Sequence, residues 1–210
     1  SFSFSNQRTA IITQEGVLQV IGKNEDMYKQ IQFLWLPKEI KQLTNIPLED
    51  DDGHPLYPYS VFSGDEYTLL LVSTTAEPSE NSLRLAFFSN LLPSDKKKKT
   101  PTFVPTGSHS PLALFGGITT AAAIDTEGGI IFMYFFKYLS ITKVTAPRCV
   151  LPDGDFAVCV ACCKNFFCVL GSSGRVFVSE AENPTVLEEA SELRGIKIIE
   201  VSGIYEHCLA

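Results

Sequence analysis

The sequence predicts an all-β chain made of about four repeated sheet units. Three observations carry that expectation. A polar turn, a Gly and a β-rich run recur in the same order. The recurring units are about 40 to 60 residues long, the size of one small four-stranded sheet. No long amphipathic helical pattern separates the apolar runs, which disfavours a parallel α/β fold.

The clearest copies are TQEGVLQVIG (Thr13 to Gly22), DTEGGIIFMY (Asp125 to Tyr134) and GSSGRVFVSE (Gly171 to Glu180). Gly16, Gly128 and Gly174 head the β-rich runs, where a tight hairpin turn calls for positive φ. Five residues before each Gly stand Ile11, Ala123 and Val169, inside the short apolar runs TAIIT, TAAAI and FFCVL. Eight residues before each Gly stand Arg8, Thr120 and Phe166. Ser5, Gly117 and Cys163 precede these by three, and Phe2, Leu114 and Val160 by six. The unit therefore reads strand, small residues, strand, polar Gly turn, strand.

Two further copies fit. YSVFSGDEYTLLLVS places Val61, Gly64 and Tyr67 at the matching positions, and its turn is enlarged to TTAEPSENS before LRLAFFSN resumes as strand. IIEVSGIYEHCLA places Val201 and His207, with Gly203 one residue off. The reference positions Arg8, Tyr67, Thr120, Phe166 and His207 stand 41 to 59 residues apart, and a blade boundary is expected near each of the last four. Pro-containing stretches join the units: LWLPKEI, KTPTFVPT, TAPRCVLPD and ENPTVLEEASELRG. Asp26 to Phe33 and Leu187 to Leu193 are the fair helical patches, and both are short. Residues 1–210 thus form one repeat region, with units near 1–60, 61–113, 114–159 and 160–200 and the start of another at 201–210. Units of this size, each offering three or four strands, are the blades of a β-propeller.

EVSGIYEHCLA, VACCKNFFCVLGSSGRVFV and FGGITTAAAIDTEGGIIF resemble the regulator of chromosome condensation repeat. His207 matches the family's His, while Arg8, Tyr67, Thr120 and Phe166 replace it elsewhere. Cys162-Cys163 replaces the small Gly pair, and the aromatic-Gly pair after the third strand is missing. The resemblance implies a seven-bladed propeller, of which about four blades are present here as an excerpt of a longer ring. It implies that His207 caps a blade turn by hydrogen bonding to backbone. It also implies a protein partner, and the founding member's activity suggests nucleotide exchange on a small GTPase as an alternative.

The charge balance sets limits on partners. The net charge is −7, from 17 Lys and Arg against 24 Asp and Glu, which disfavours general nucleic-acid binding. No apolar run approaches the roughly 20 residues that span a bilayer. The start lacks a signal-peptide pattern, and the six Cys show no disulfide framework, which together favour an intracellular setting.

No phosphate loop, dinucleotide fingerprint, HExxH or nucleophile elbow is present, so neither an enzyme nor a cofactor is expected. Cys159-x-x-Cys162, beside Cys163 and with Cys149 and Cys168 as further candidates, is the one metal-like spacing. Cys162, Cys163 and Cys168 fill the small and core slots of the repeat, so they are expected to be reduced and metal-free. Two loops are the binding candidates. One is acidic, with Glu49, Asp50, Asp51, Asp52 and His54. The other is a basic run, Lys96, Lys97, Lys98 and Lys99, between Pro93 and Pro101. Loops on a rigid scaffold are where such folds carry function. The leading expectation is a protein-interaction propeller that binds a macromolecular partner through these loops, with the Lys run as the hot region.

Overall fold

The structure is a computed structural model, and it describes residues 2–4, 8–22, 44–64, 67–77, 79, 82–88, 100–117, 119–134 and 147–210. Four antiparallel sheets of four strands each follow one another along the chain. The first holds β1 (Phe2–Phe4), β2 (Arg8–Ile12), β3 (Leu18–Gly22) and β4 (Thr44–Asn45). The second holds β5 (Tyr57–Ser63), β6 (Thr68–Ser73), β7 (Arg84–Phe88) and β8 (Thr102–Phe103). The third holds β9 (Pro111–Gly116), β10 (Thr120–Asp125), β11 (Ile130–Tyr134) and β12 (Arg148–Cys149). The fourth holds β13 (Ala157–Cys162), β14 (Phe166–Gly171), β15 (Val176–Glu180) and β16 (Glu188–Glu189). A hairpin of β17 (Ser202–Ile204) and β18 (His207–Leu209) follows. Within every sheet the strands lie in sequence order, so each sheet is a meander.

The boundaries differ from the sequence reading. Thr120, Phe166 and His207 do not separate blades but begin the second strand of their sheets, and Tyr67 stands one residue before the second strand of its own. The first strands begin before residues 61, 114 and 160, at Tyr57, Pro111 and Ala157. The Leu187 to Leu193 patch is not an α-helix but the short strand β16 and a 3-10 turn, Ser191–Leu193. Asp26 to Phe33 lies outside the described residues.

The turn grammar has one geometry. The Gly16, Gly128 and Gly174 amides donate to the carbonyls of Thr13, Asp125 and Gly171 at 3.0–3.1 Å. Thr13, Asp125 and Gly171 in turn donate to Val17, Gly129 and Arg175 at 2.9–3.0 Å. The three Gly have φ of 74°, 74° and 87°, the left-handed region that closes such a turn. At the first position the side chain adds a cap: Thr13 Oγ1 accepts from Val17, and Asp125 Oδ1 from Glu127 and Gly129. Gly171 has no side chain to do this. Asp155 from the preceding loop moves into that space, so close that a Cβ on Gly171 would collide with it. Its carboxylate accepts from the Ser173 amide and from the hydroxyls of Ser172 and Ser173.

The cores lie between sheets. All six residues of β6 are buried, as are all six of β10. Alternation divides each middle strand between two neighbours. Leu70 and Val72 join Ala10, Leu18 and Val20 of the first sheet, while Leu69 and Leu71 join Ala121, Ala123 and Met133 of the third. Ala122 and Ile124 face Phe167, Val169 and Phe177 of the fourth, and Cys168 and Leu170 face Val201 beyond it. The run Ala121–Ala123, fully buried, is strand because two tight seams need small side chains there, which overrides the helical preference of Ala.

The inner turns are also chained together. The Tyr67 hydroxyl donates to the Gly117 and Thr120 carbonyls of the next sheet, at 2.7 and 2.8 Å. Thr120 Oγ1 donates to the Cys163 carbonyl, and Cys163 Sγ to the His207 carbonyl at 3.4 Å. The second, third and fourth sheets thus each hold the backbone of the unit that follows. No helix among the described residues is long and apolar enough to cross a membrane.

Candidate functional site

Strand direction sorts the loops into two groups. The starts of β5, β9 and β13 share one end of the sheets with the Gly turns at residues 13–16, 125–128 and 171–174. The acidic loop lies at this end, directly before β5. The third-to-fourth strand connections leave from the opposite end, after Phe88 in the second sheet. Lys96, Lys97, Lys98 and Lys99 belong to that connection, and they lie outside the described residues.

The acidic loop is a closed hairpin. Leu48 and Leu56 are buried in the first seam, and the Leu56 amide donates to the Leu48 carbonyl at 3.0 Å. Glu49 bridges Pro55. Asp50 organises the tip: its Oδ1 accepts from the Asp52 and His54 amides at 3.0 and 2.8 Å, and its Oδ2 lies 3.3 Å from His54 Nδ1. The His54 backbone bond, aided by its ring and the Asp52 amide, holds the Asp50 carboxyl below the usual range against a smaller effect of burial. Asp51, Asp52 and His54 point to solvent. Asp50, Asp52 and His54 place ligand atoms within 4.8 Å of one another, but the Asp50 carboxylate is already occupied by the hairpin itself.

The first strands present the same end differently. They run beside one another: β1 touches β5, β5 touches β9, β9 touches β13, and β13 touches β17. Three of them carry a bulge at the same place. Pro58 pairs with Val72 and Ser60 with Leu71; Pro111 pairs with Asp125 and Ala113 with Ile124; Ala157 pairs with Gly171 and Cys159 with Leu170. The extra residue is Tyr59, Leu112 or Val158, and these are 56%, 44% and 50% exposed. None of the three belongs to an inter-sheet core. Tyr57 and Phe156, one residue before the pairing that precedes the bulge, are exposed as well. Sequence reasoning missed this row, although its members stand two residues before Val61, Leu114 and Val160 at a constant offset.

Charges at this end are mostly acidic and unevenly neutralised. Arg148 is held by Asp125 at 2.6 Å and Glu127 at 2.9 Å, and Arg175 by Asp153 at 2.9 Å and Asp155 at 3.6 Å. The Arg84 guanidinium lies over the Phe103 ring, 3.6 Å from its centroid. Glu15, Asp51 and Asp52 have no basic partner among the described residues. His109 Nδ1 is 3.3 Å from Glu127, near enough for an ion pair but not aligned for a hydrogen bond. His207 is exposed and contributes its carbonyl to the Cys163 thiol; the structure does not place its ring as a cap.

The Cys spacing does not gather ligands. An offset of three along a strand turns side chains to opposite faces, so Cys162 enters the third seam while Cys159 enters the fourth. Burial pushes the Cys162 thiol well up, and burial with Cys208 nearby raises Cys163 to about 11. Cys168 is raised by burial and then by hydrogen bonding with Cys208. All six cysteines are free thiols. Because thiolate is the reacting form, Cys162, Cys163 and Cys168 are expected to resist iodoacetamide at pH 8 in the folded protein and to react once it is unfolded in urea. Mass mapping of the labelled sites checks this, and full labelling of Cys162 without denaturant would contradict the packing.

No protein-family model matches the chain, and no curated protein matches its sequence. Solved structures do match in fold. Human WBSCR16 superposes with a TM-score of 0.63 at 12% identity, over 99% of this chain and 56% of that one. The β-propeller domain of Myceliophteria thermophila Cps50 (Swd1) gives 0.54 at 9% identity, over 94% and 59%. Yeast RCC1 (Prp20), solved bound to Kap60, gives 0.48 at 12% identity, over 99% and 66%. The chain has a β-propeller fold. It spans little more than half of the WBSCR16 chain.

Proposed function

We propose that this chain is a non-catalytic protein-interaction propeller, acting in an intracellular setting, that binds a macromolecular partner through its loop-bearing ends. One observation carries the reading. The middle strands β6 and β10 are buried along their whole length between two seams, so their chemistry is spent on packing. Recognition is left to the ends of the sheets, where the acidic hairpin and the Lys96–Lys99 connection emerge. The four Lys on a chain of net charge −7 favour an acidic partner at their end, with an encounter rate that falls as salt rises.

The test replaces Lys96, Lys97, Lys98 and Lys99 together by Ser and measures both melting temperature and capture of partners from cell extract. Unchanged melting with weaker, less salt-sensitive capture is expected. Capture that is unchanged at low salt would remove the Lys run from the function.

A further inference from the structure

We propose that the row Tyr59, Leu112 and Val158, with the acidic groups beside it, is a second docking surface that takes a basic segment of a partner protein, one in which Lys or Arg alternates with apolar residues. The proposal rests on the reading of the chain as an interaction module, but it concerns residues other than the Lys run.

Three bulges at one position are the first argument. A bulge adds a residue that opposes nothing on the partner strand and re-aims its side chain. Here it does so in three successive sheets, and each time the re-aimed residue is large, apolar or aromatic, and outside the cores. Scattered exposed apolar residues are ordinary on any surface. Equivalent ones on three adjoining strands recur in register, and Tyr57 and Phe156 stand two residues before two of them.

Charge selects the occupant. At this end Arg148 and Arg175 are each committed to two carboxylates, while Arg84, stacked on Phe103, and Lys197, beside the Gly174 turn, keep their charge. Glu15, Asp51 and Asp52 remain without a basic partner among the described residues, and the hairpin holds Asp51 and Asp52 in fixed positions in front of β5. Carboxylates at the same end as the apolar row disfavour an acidic ligand and leave a purely apolar one without a match for the rim. A cationic segment with interleaved apolar side chains matches both features. Tyr59 offers an aromatic face for an arginine guanidinium as well as for an apolar group.

The probe is a fluorescein-labelled twelve-residue peptide of alternating Arg and Leu, compared with its Glu-Leu counterpart by anisotropy. The proteins are the unaltered chain, Y59S/L112S/V158S, E15Q/D51N/D52N, and the Lys96–Lys99→Ser variant. The Arg-Leu peptide is expected to bind and the Glu-Leu peptide not to. The apolar triple variant should weaken binding by about tenfold or more, as loss of the central anchors does at interfaces. The carboxylate variant should weaken it severalfold and flatten its salt dependence. The Lys variant should bind the peptide unchanged. Melting temperature confirms that each variant is folded, since all the replaced side chains in the two triple variants are exposed. Equal binding by the unaltered protein and both triple variants overturns the proposal, and so does equal binding of the Glu-Leu peptide. Either result leaves the capture experiment at the Lys end unaffected, so the two readings fail separately.

Discussion

Replacing Phe167 by Ala is expected to destabilise the protein by about 3–5 kcal/mol, the cost of truncating a fully buried phenyl group. Phe167 is 0% exposed and sits in the third seam with Val169, Phe177, Ala122 and Ile124. Its ring lies 4.6 Å from that of Phe132 at an interplanar angle of 52°, a tilted contact across the two sheets. Removing it loses the transfer energy of the ring and leaves a hole lined by two strands whose positions are fixed by their other seams. Those strands cannot close on the gap without opening the second and fourth seams, so little of the cavity should be relieved. Urea denaturation checks the value. A loss below about 1.5 kcal/mol would mean that the seam collapses more freely than this packing allows.

Asp125 is the second position with a large expected effect. Its carboxylate is buried and accepts from the Gly129 amide at 2.8 Å, the Glu127 amide at 2.9 Å and Arg148 Nε at 2.6 Å. Asp125→Ala removes the acceptor for two turn amides and strips Arg148 of its inner partner. A loss of about 2–4 kcal/mol is expected, since orphaned buried donors and a broken ion pair both contribute. Arg148→Met should cost less, because Asp125 keeps its two amide donors. A double-mutant cycle separates the pair from the cap. If Asp125→Ala and Arg148→Met cost the same, the carboxylate serves the Arg and not the turn.

The local parts of the fold were legible in the sequence. Gly16, Gly128 and Gly174 mark turns because a single residue with positive φ decides them, and that demand is written at one position. The polar residues before them, Thr13 and Asp125, follow for the same reason. Phase was less legible. Periodicity gives the spacing of repeats but not which strand is the edge of a sheet, so Thr120 and Phe166 read as boundaries when they begin second strands. Asp155 filling the space of a missing side chain at Gly171 depends on a loop sixteen residues upstream, which no local pattern announces. The exposed row of Tyr59, Leu112 and Val158 depends on register between strands, and register is a property of pairs. The ordering of the acidic loop by Asp50 depends on its hairpin geometry and was not written in the local pattern.

The division of β6, β10 and β14 between two neighbours has a consequence for how the protein comes apart. A strand that serves two seams cannot be released from one without loosening the other, so the second, third and fourth sheets do not melt independently of their neighbours. Stability in stacked repeats is a sum of unit terms and nearest-neighbour terms. Here the second, third and fourth sheets each give apolar side chains to two seams, so the neighbour terms couple them. Damage to one middle strand therefore travels in both directions along the chain. The scaffold that holds the loops is rigid as a whole or not at all.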